Sequence, residues 1–166
     1  MQDEVVYVLD ANVFIEAKRR YYAFDFAPRF WTSLVEQARN GQIESIDKIK
    51  EELNKGKDEL SDWADSEFID FFASTDYVAV TTQYGELMVW VNDNSQYYDT
   101  AKSKYANDPD GWLIAYSCVK KRVLVTEEVS DLNTHTKVKI PDVCLPFSVT
   151  CIDTFELIRR LGIKWE

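Results

Sequence analysis

The sequence predicts an α/β fold, a three-layer sandwich in which a mostly parallel central sheet is flanked by helices. Residues 5–10 and 122–126 each contain a continuous apolar run without polar alternation, which is typical of a strand buried on both faces. Helical patterns separate the predicted strands, and this alternation favours parallel pairing. Because 166 residues suit one ordinary core, we expect a single domain over residues 1–166.

The other elements follow from local patterns and from residues that start or stop helices. Further strands are expected at residues 42–46, 76–80 and 148–152. Helices are expected at residues 12–20, 26–41, 47–56, 58–72, 82–91, 95–106, 108–121 and 153–162. Asp108 and Asp153 are expected to cap two of these helices, and Gly162 to end the last. Residues 129–147 form a long polar loop, either a cover for a site or a simple insertion.

The composition directs attention to acidic residues. The chain has 19 Lys and Arg against 29 Asp and Glu, a formal net charge of −10. Such a protein repels nucleic acid at long range unless metal ions neutralise an acidic cluster and basic patches flank it. Three scattered cysteines without a CxxC pair argue against a disulfide framework or a zinc cage. Any histidine-dependent catalysis would rest on His135 alone.

The cellular location is expected to be the cytoplasm. No signal peptide precedes the first predicted strand, and no apolar run approaches the ~20 residues of a membrane span. We therefore expect no membrane partner.

Acids follow two of the predicted strands. Asp10 ends the first strand, and Glu127 and Glu128 follow the strand at residues 122–126. Ligands of parallel sheets gather beyond the carboxyl ends of the strands, so these acids are candidates for a site. Capping or loop roles explain any one of them equally well, and a site therefore needs further acids to converge there.

Two more acids have the right placement to converge. Asp110 begins the helical stripe continued by Leu113 and Ile114, so it faces inward at the first turn of its helix. A favourable dipole interaction of about 0.3–1 kcal/mol is the equally open structural interpretation. Glu52 lies about a right angle from the apolar face of its helix and can reach over the sheet edge, whereas Glu51 points nearly opposite that face.

Such a cluster predicts a metal site. Carboxylates from separate segments repel one another unless their pKa values shift or cations bind. Because no Cys or His lies nearby, the oxygen ligands select a hard ion such as Mg²⁺ or Mn²⁺. Asn12 adds a neutral oxygen or an amide donor beside Asp10, and Glu16 shares its helix face.

Four motifs, in order along nearly the whole chain, resemble those of PIN domains. LDANVFIE resembles the motif in which an Asp ends the first strand, IKEELNKG carries Glu52 at the second acid position, and DGWLIAYS opens on Asp110. VLVTEE is similar to the strand that ends in Thr-x-Asp, but Glu128 replaces the usual Asp, with Glu127 as the fallback. EAKRRYYAFDF, DELSDWA, DPDGWLIAYS and KVKIPDVC together resemble a PIN-like subfamily catalogued as a domain of unknown function.

The resemblance implies a metal-dependent endoribonuclease, often the toxin of a VapC-like toxin–antitoxin pair and usually a homodimer. In that chemistry a metal-activated water hydrolyses an RNA phosphodiester bond. Asp10, Glu52 and Asp110 would be the core metal ligands and catalytic residues, with Glu128 more distant or acting through water. The residues expected to orient ligands or water are Asn12, Glu16 and Thr126.

Basic and aromatic residues are candidate RNA contacts. The basic candidates are Lys18, Arg19, Arg20, Lys48 and Lys55, each of which is also readable as a solvated surface charge. Tyr21, Tyr22 and Trp112 could stack on bases, or could belong to the core.

Two other functions remain open. The Glu at position 128 motivates a non-catalytic PIN-like module that binds RNA or a protein. A phosphotransferase or phosphatase with an aspartyl nucleophile is a third hypothesis, although such enzymes usually have Asp-x-Asp and the second position here is Asn12.

Overall fold

A computed structural model describes residues 4–164 of the chain. Within this range the strands are β1 (Tyr7–Leu9), β2 (Ile43–Ile46), β3 (Phe72–Ala73), β4 (Val123–Val125) and β5 (Cys151–Ile152). They form one sheet in the order β3-β2-β1-β4-β5, and each neighbouring pair is parallel. The predicted α/β class with a parallel sheet is therefore confirmed.

The helices connect these strands and flank the sheet. They are α1 (Ala11–Glu16), α2 (Pro28–Arg39), α3 (Asp47–Asn54), α4 (Glu59–Ser66), α5 (Val78–Asp93), α6 (Asp99–Asn107), α7 (Asp110–Lys120), α8 (Ile140–Cys144) and α9 (Thr154–Leu161). The chain moves outward from β1 to β3 and then crosses back to β4. Right-handed crossovers place the helices before and after that reversal on opposite faces, which gives three layers.

The core lies on both faces of the central strands. Val8 and Leu9 of β1 are fully buried, and Val8 pairs with Leu124 of β4. Aromatic rings from α1, α2, α4 and the segment after α4 form a packed group beside the sheet, and the rings of Phe14 and Phe68 lie 5.5 Å apart. Such pairs each contribute about 0.5–1.5 kcal/mol beyond the burial of their surface, so this layer holds the start of α1 firmly.

The strand order positions a crevice at the carboxyl edge of the sheet. β1 and β4 are neighbours in the sheet. The chain first runs from β1 to β2 and β3 on one side of β1, and then crosses to β4 on the other side of β1. A crevice opens where the order reverses, and ligands of parallel sheets bind there. The residues that follow β1 and β4 therefore line the place where a site is expected.

The strand predicted at residues 76–80 is wrong. α5 begins at Val78, which is 85% exposed, and the third strand is Phe72–Ala73, which begins at the last residue of the helix predicted at 58–72. The valines of DYVAV favour a strand locally, but packing of α5 against α7 overrides that preference. A two-residue edge strand carries too little sequence pattern to be recognised.

Several boundaries also differ from the sequence-based expectation. The helix predicted at residues 12–20 is α1 followed by a π-helical turn (Ala17–Tyr21), and the predicted loop at 129–147 contains α8. Pro109, not Asp108, is the residue before α7. The predicted cap is confirmed at Asp153, whose carboxylate accepts the backbone N–H of Glu156 at 2.8 Å.

Two further features concern the cysteines and the lengths of the helices. The three cysteines are free. Among the helices of residues 4–164, none has the length and apolar character needed to cross a membrane.

Candidate functional site

Asp10 is a buried carboxylate at the carboxyl end of the central strand. It is 3% exposed, and its Oδ2 accepts a hydrogen bond of 2.9 Å from the hydroxyl of Thr126, which follows β4. Burial raises the pKa of Asp10 to about 7, although the Thr126 hydrogen bond opposes this rise and the charge of Glu128 adds to it. Without a cation, Asp10 is thus only partly ionised near neutral pH.

Other acids at this edge of the sheet have structural roles. Asp47 follows β2 and accepts the backbone N–H and the hydroxyl of Thr75 at 3.0 and 2.9 Å. Asp153 follows β5 and caps α9. Asp10 precedes α1, yet its side chain makes no capping hydrogen bond within the described chain. Burial raises the pKa of Asp10 by more than the backbone N–H of Ala11, the first residue of α1, lowers it, so the start of the helix does not offset the cost of burying this carboxylate.

Asp110, the first residue of α7, interacts electrostatically with Asp10. Burial and then the negative charges of Asp10, Glu128 and Asp108 raise the pKa of Asp110 to about 8. The amino end of α7 favours a negative charge, so burial and repulsion outweigh the helix dipole here. The structure thus brings together two acids that lie 100 residues apart.

Glu128 adds a third carboxylate and a lysine. Its side chain is 6% exposed, and its backbone N–H donates to the hydroxyl of Thr126 at 3.1 Å. Lys137 Nζ lies 2.9 Å from Glu128 Oε1. Burial lowers the pKa of Lys137, but the ion-pair contact with Glu128, together with the charges of Asp110 and Asp10, outweighs burial and raises it. We call Asp10, Asp110 and Glu128 the acidic cluster, and Lys137 is an ammonium ion within it.

The sequence placed Lys137 and Lys139 in a loop that could cover the site, but it did not identify the contact between Lys137 and Glu128. The pattern indicated only that the loop at 129–147 could cover a site, because a polar loop has no periodicity that fixes side-chain directions. Two neighbouring lysines in the motif KVK were the available signal.

Glu127, the fallback for the fourth acid, has a different environment. Its carboxylate accepts the backbone N–H of Thr154 at 3.3 Å and also bonds the hydroxyl of that residue. It lines a small pocket with Glu16 and Phe155. Glu127 thus contacts the start of α9, whereas Glu128 accompanies Asp10.

Glu52 lies beside Asp108 in an adjoining shallow cavity. Its side chain is 39% exposed, and its Oε2 lies 3.2 Å from Lys55 Nζ. Burial raises the pKa of Asp108, Lys104 opposes this, and the charges of Glu52 and then Glu128 add to the rise. Asp108 therefore interacts electrostatically both with Glu52 and with Glu128 of the acidic cluster. Its sequence-based interpretation as a helix cap did not include this role.

Aromatic residues pack beside the first turn of α7. The rings of Tyr84 and Trp112 stack with centroids 3.9 Å apart. A Cβ at Gly111 would lie 2.9 Å from the Tyr84 ring, so glycine permits this close approach. The buried Tyr105 hydroxyl has no hydrogen-bond partner among the described residues, and burial followed by the charge of Asp110 raises its pKa. It is therefore a protonated donor close to the acidic cluster.

The residues expected to orient the ligands are placed differently from one another. Thr126 contacts Asp10 directly. Asn12 is partly buried in α1. Glu16 forms an ion pair of 2.9 Å with Arg20, so its carboxylate has a partner on its own helical segment.

Two of the expected RNA contacts lie at the Glu52 cavity. Lys48 and Lys55 line it together with Trp112, and Lys48 Nζ lies 5.0 Å from the centre of a Trp112 ring. This gives the cavity a basic and aromatic margin beside its acids.

The other three basic candidates lie on the π-helical turn. Lys18 forms an ion pair with Asp58, Arg20 pairs with Glu16, and Arg19 is exposed. Next to them Tyr21 is 47% exposed, whereas the Tyr22 ring stacks on Phe30 with centroids 4.4 Å apart. The ring of Tyr21 is therefore more accessible to an RNA base than the ring of Tyr22.

The donor chemistry of the acidic cluster suits a hard divalent cation. Asp10, Asp110 and Glu128 offer carboxylate oxygens only, the ligand type that Mg²⁺ and Mn²⁺ prefer. Within residues 4–164, however, no three Asp, Glu, His or Cys side chains already stand in an arrangement that could hold an ion. Lys137 is paired with Glu128 instead. The residues fit such an ion by their chemistry, and their oxygens would have to converge when it binds.

Comparison with protein families gives a match over nearly the whole chain. The family described as Domain of unknown function (DUF4411) matches residues 7–165. The chain belongs to this family. All five strands and the whole acidic cluster lie within the DUF4411 match. A comparison with curated proteins finds no match.

Proposed function

We propose that this DUF4411 protein is a Mg²⁺- or Mn²⁺-dependent endoribonuclease. The observation that carries the proposal is the pair Asp10 and Asp110, two carboxyl groups at the strand-order reversal whose pKa values are raised to about 7 and about 8. A shared cation would relieve both the burial cost and the repulsion. Strongly perturbed carboxylates in a crevice are typical of functional sites.

The chemistry assigned to each residue follows from its contacts. Asp10, Asp110 and Glu128 would hold the ion, and Thr126 would keep the Asp10 carboxylate oriented through its hydroxyl. A bound Mg²⁺ or Mn²⁺ supplies hydroxide near neutral pH by lowering the pKa of water.

The proposed substrate is RNA because of the resemblance to PIN domains and the margin of the site. Lys48, Lys55 and Trp112 combine charges for phosphates with a flat ring for a base. A local basic margin is needed because the chain as a whole carries a net charge of −10. An RNA target also leads us to propose a cytoplasmic location.

The test is cleavage of single-stranded RNA of mixed sequence by the purified protein. We expect cleavage with Mn²⁺ or Mg²⁺, none with a chelator, and a loss of at least about a thousandfold in Asp10→Asn, as removal of a central catalytic group costs. Glu52→Gln should reduce cleavage less, and the matched Glu51→Gln variant should not change it. Full metal-dependent turnover in Asp10→Asn would exclude the proposed site.

A second candidate function is a non-catalytic module that binds RNA or a protein. The ion pair between Lys137 and Glu128 favours it, because an ammonium ion already neutralises part of the acidic cluster. In that case the protein binds RNA with or without a chelator, and calorimetry detects no Mn²⁺ binding.

Two partners are proposed from the resemblance, a second copy of the chain and an antitoxin. A surface for the copy is the apolar cavity of about 500 Å³ beside Phe26, whose side chain is 81% exposed. We expect Phe26→Glu to convert a dimer into a monomer in sedimentation velocity, while Val78→Glu, at another exposed apolar residue, leaves the dimer intact. Toxin activity predicts that induced wild-type protein arrests bacterial growth and that Asp10→Asn does not.

A further inference from the structure

Lys137 supplies a positive charge to the acidic cluster. Its Nζ is 2.9 Å from Glu128 Oε1, and the Glu128 side chain is 6% exposed while that of Lys137 is 40% exposed. The ammonium thus reaches the buried carboxylate from the open side of the site. Its charge also acts on Asp10 and Asp110.

The loop that carries Lys137 is anchored on both sides. The carboxylate of Asp142 in α8 accepts the hydroxyl of Ser130 and the backbone N–H of Asp131, the latter at 3.0 Å. The side-chain amide of Gln96 donates to the carbonyl of Thr134 at 2.8 Å. Next to Lys137, Val138 is buried in the core. These contacts fix the backbone, so only the side chain of Lys137 needs to move when the site changes.

Charge decides what the lysine does to a second cation. When all three carboxylates are ionised, they and the ammonium leave a charge of −2, which one divalent ion neutralises. An ammonium and a divalent ion that both contact Glu128 repel each other, and water screens this repulsion weakly at a nearly buried carboxylate. A divalent ion must therefore displace Lys137 from Glu128, or bind with an affinity that is lowered by repulsion from the Lys137 ammonium.

We propose that Lys137 competes with the divalent cation for Glu128 and thereby sets the metal affinity of the site. The inference rests on the proposed function, because it assumes that the acidic cluster takes a divalent ion. In the metal-free protein the lysine holds Glu128, and the ion releases it toward the open side of the site. Lys137 is a residue that determines cation affinity, not a ligand of the metal.

The experiment is calorimetric titration of the full chain with Mn²⁺ alone, in one buffer, for the wild type and four variants. Lys137→Met and Lys137→Gln remove the competing charge, and we expect each to bind Mn²⁺ at least about tenfold more tightly than the wild type. Lys137→Arg keeps the charge and should bind as the wild type does. Lys139→Met removes a charge from the same loop and controls for the change in net charge.

The result separates this inference from the nuclease proposal. The proposed competition is wrong if the neutral variants bind Mn²⁺ as tightly as the wild type or more weakly. Either result still leaves a metal site in the protein. If only the neutral variants bind, the competition holds and metal-dependent catalysis by the wild type is excluded. If none of the proteins binds Mn²⁺, both ideas are wrong. Thermal unfolding without metal verifies that each variant is folded. If Lys137→Met does not fold, the Mn²⁺ affinity of Lys137→Gln decides the test.

Discussion

The hydroxyl of Thr126 lies 2.9 Å from the carboxylate of Asp10, so one hydrogen bond joins the carboxyl ends of β1 and β4. The same hydroxyl oxygen accepts the backbone N–H of Glu128 at 3.1 Å. A single side chain therefore fixes two members of the acidic cluster where the strand order reverses. Leu9 precedes Asp10 and Val125 precedes Thr126. These two residues pair in register and are fully buried, so the backbone that carries Thr126 is held rigidly.

Removing the Thr126 hydroxyl should weaken the site without removing a carboxylate. Thr126→Val keeps the branched shape, but Asp10 loses its donor and Glu128 its acceptor. We expect Mn²⁺ affinity and RNA cleavage to fall by about 10–100-fold, as is typical for partners that orient metal ligands. Thr126→Ser keeps the hydroxyl and should remain close to the wild type. Calorimetry and cleavage rates measure the effect, and equal values for the two variants would contradict it.

The raised pKa values predict how stability depends on pH when divalent ions are removed. Asp10 and Asp110 ionise at about 7 and about 8 in the folded protein, against 3.8 for an ordinary aspartate. Below pH 3.8 both states hold these protons. Above it the unfolded chain releases them first, so the free energy of unfolding falls as the pH rises toward 7 and 8.

The measurement is urea denaturation in a chelator at several values from about pH 5 to about pH 8. Each carboxyl that is protonated only in the folded state lowers the free energy of unfolding by up to about 1.4 kcal/mol per pH unit. Asp10→Asn removes one such group, so its stability should fall less steeply than that of the wild type. Parallel pH profiles for the two proteins would refute the assignment. Added Mn²⁺ should restore most stability at the upper end of the range, where the acids are ionised.

Two adjacent acids should respond differently to loss of charge. Glu128→Gln removes a negative charge that raises the pKa values of Asp10 and Asp110, so both aspartates should ionise at lower pH. Mn²⁺ should nevertheless bind more weakly, because the ion loses one of its three carboxylate ligands. Glu127→Gln alters the contact with Thr154 at the start of α9, so thermal stability should fall while Mn²⁺ affinity stays unchanged. Calorimetry and thermal unfolding of both variants test this difference. A loss of Mn²⁺ affinity in Glu127→Gln alone would reverse the assignment of the fourth acid.

The part of the fold that the sequence predicted is the part with strong apolar patterns. The buried runs at β1 and β4 and the helices between strands are sufficient to predict a parallel sheet and acids at one edge. The strand at 76–80 failed because local preference for a strand competes with packing, and Val78 is in fact exposed on α5.

The positions of the candidate site residues could be predicted where they follow from a strand or helix, and could not be predicted where they follow from a loop. The placement of Asp10 and Asp110 depends on a strand end and a helix start, which the pattern locates within a few residues. Lys137 reaches Glu128 because contacts from α8 and from the segment after α5 fix its loop. These contacts are far apart in sequence, so no local pattern encodes them.

The close contact at Gly111 predicts that two glycine substitutions in helices have opposite effects. At Gly111 a Cβ would lie 2.9 Å from the Tyr84 ring and 3.4 Å from the Tyr105 ring. Tyr84 cannot turn away without losing its stack on Trp112. Alanine gains about 1 kcal/mol of helix propensity, but overpacking costs about 1–3 kcal/mol, so Gly111→Ala should be less stable than the wild type.

Gly85 in α5 is the matched control because nothing lies within 4 Å of its added Cβ. Gly85→Ala therefore keeps the helix-propensity gain without the overlap, and it should be more stable than the wild type by up to about 1 kcal/mol. Urea denaturation of both variants measures whether each substitution raises or lowers the free energy of unfolding. Because Gly111 adjoins Asp110, we also expect Gly111→Ala to bind Mn²⁺ more weakly, whereas Gly85→Ala should bind it as the wild type does. Stabilisation of both variants by the same amount would mean that Tyr84 moves freely, and that the aromatic pair does not constrain the position of Asp110.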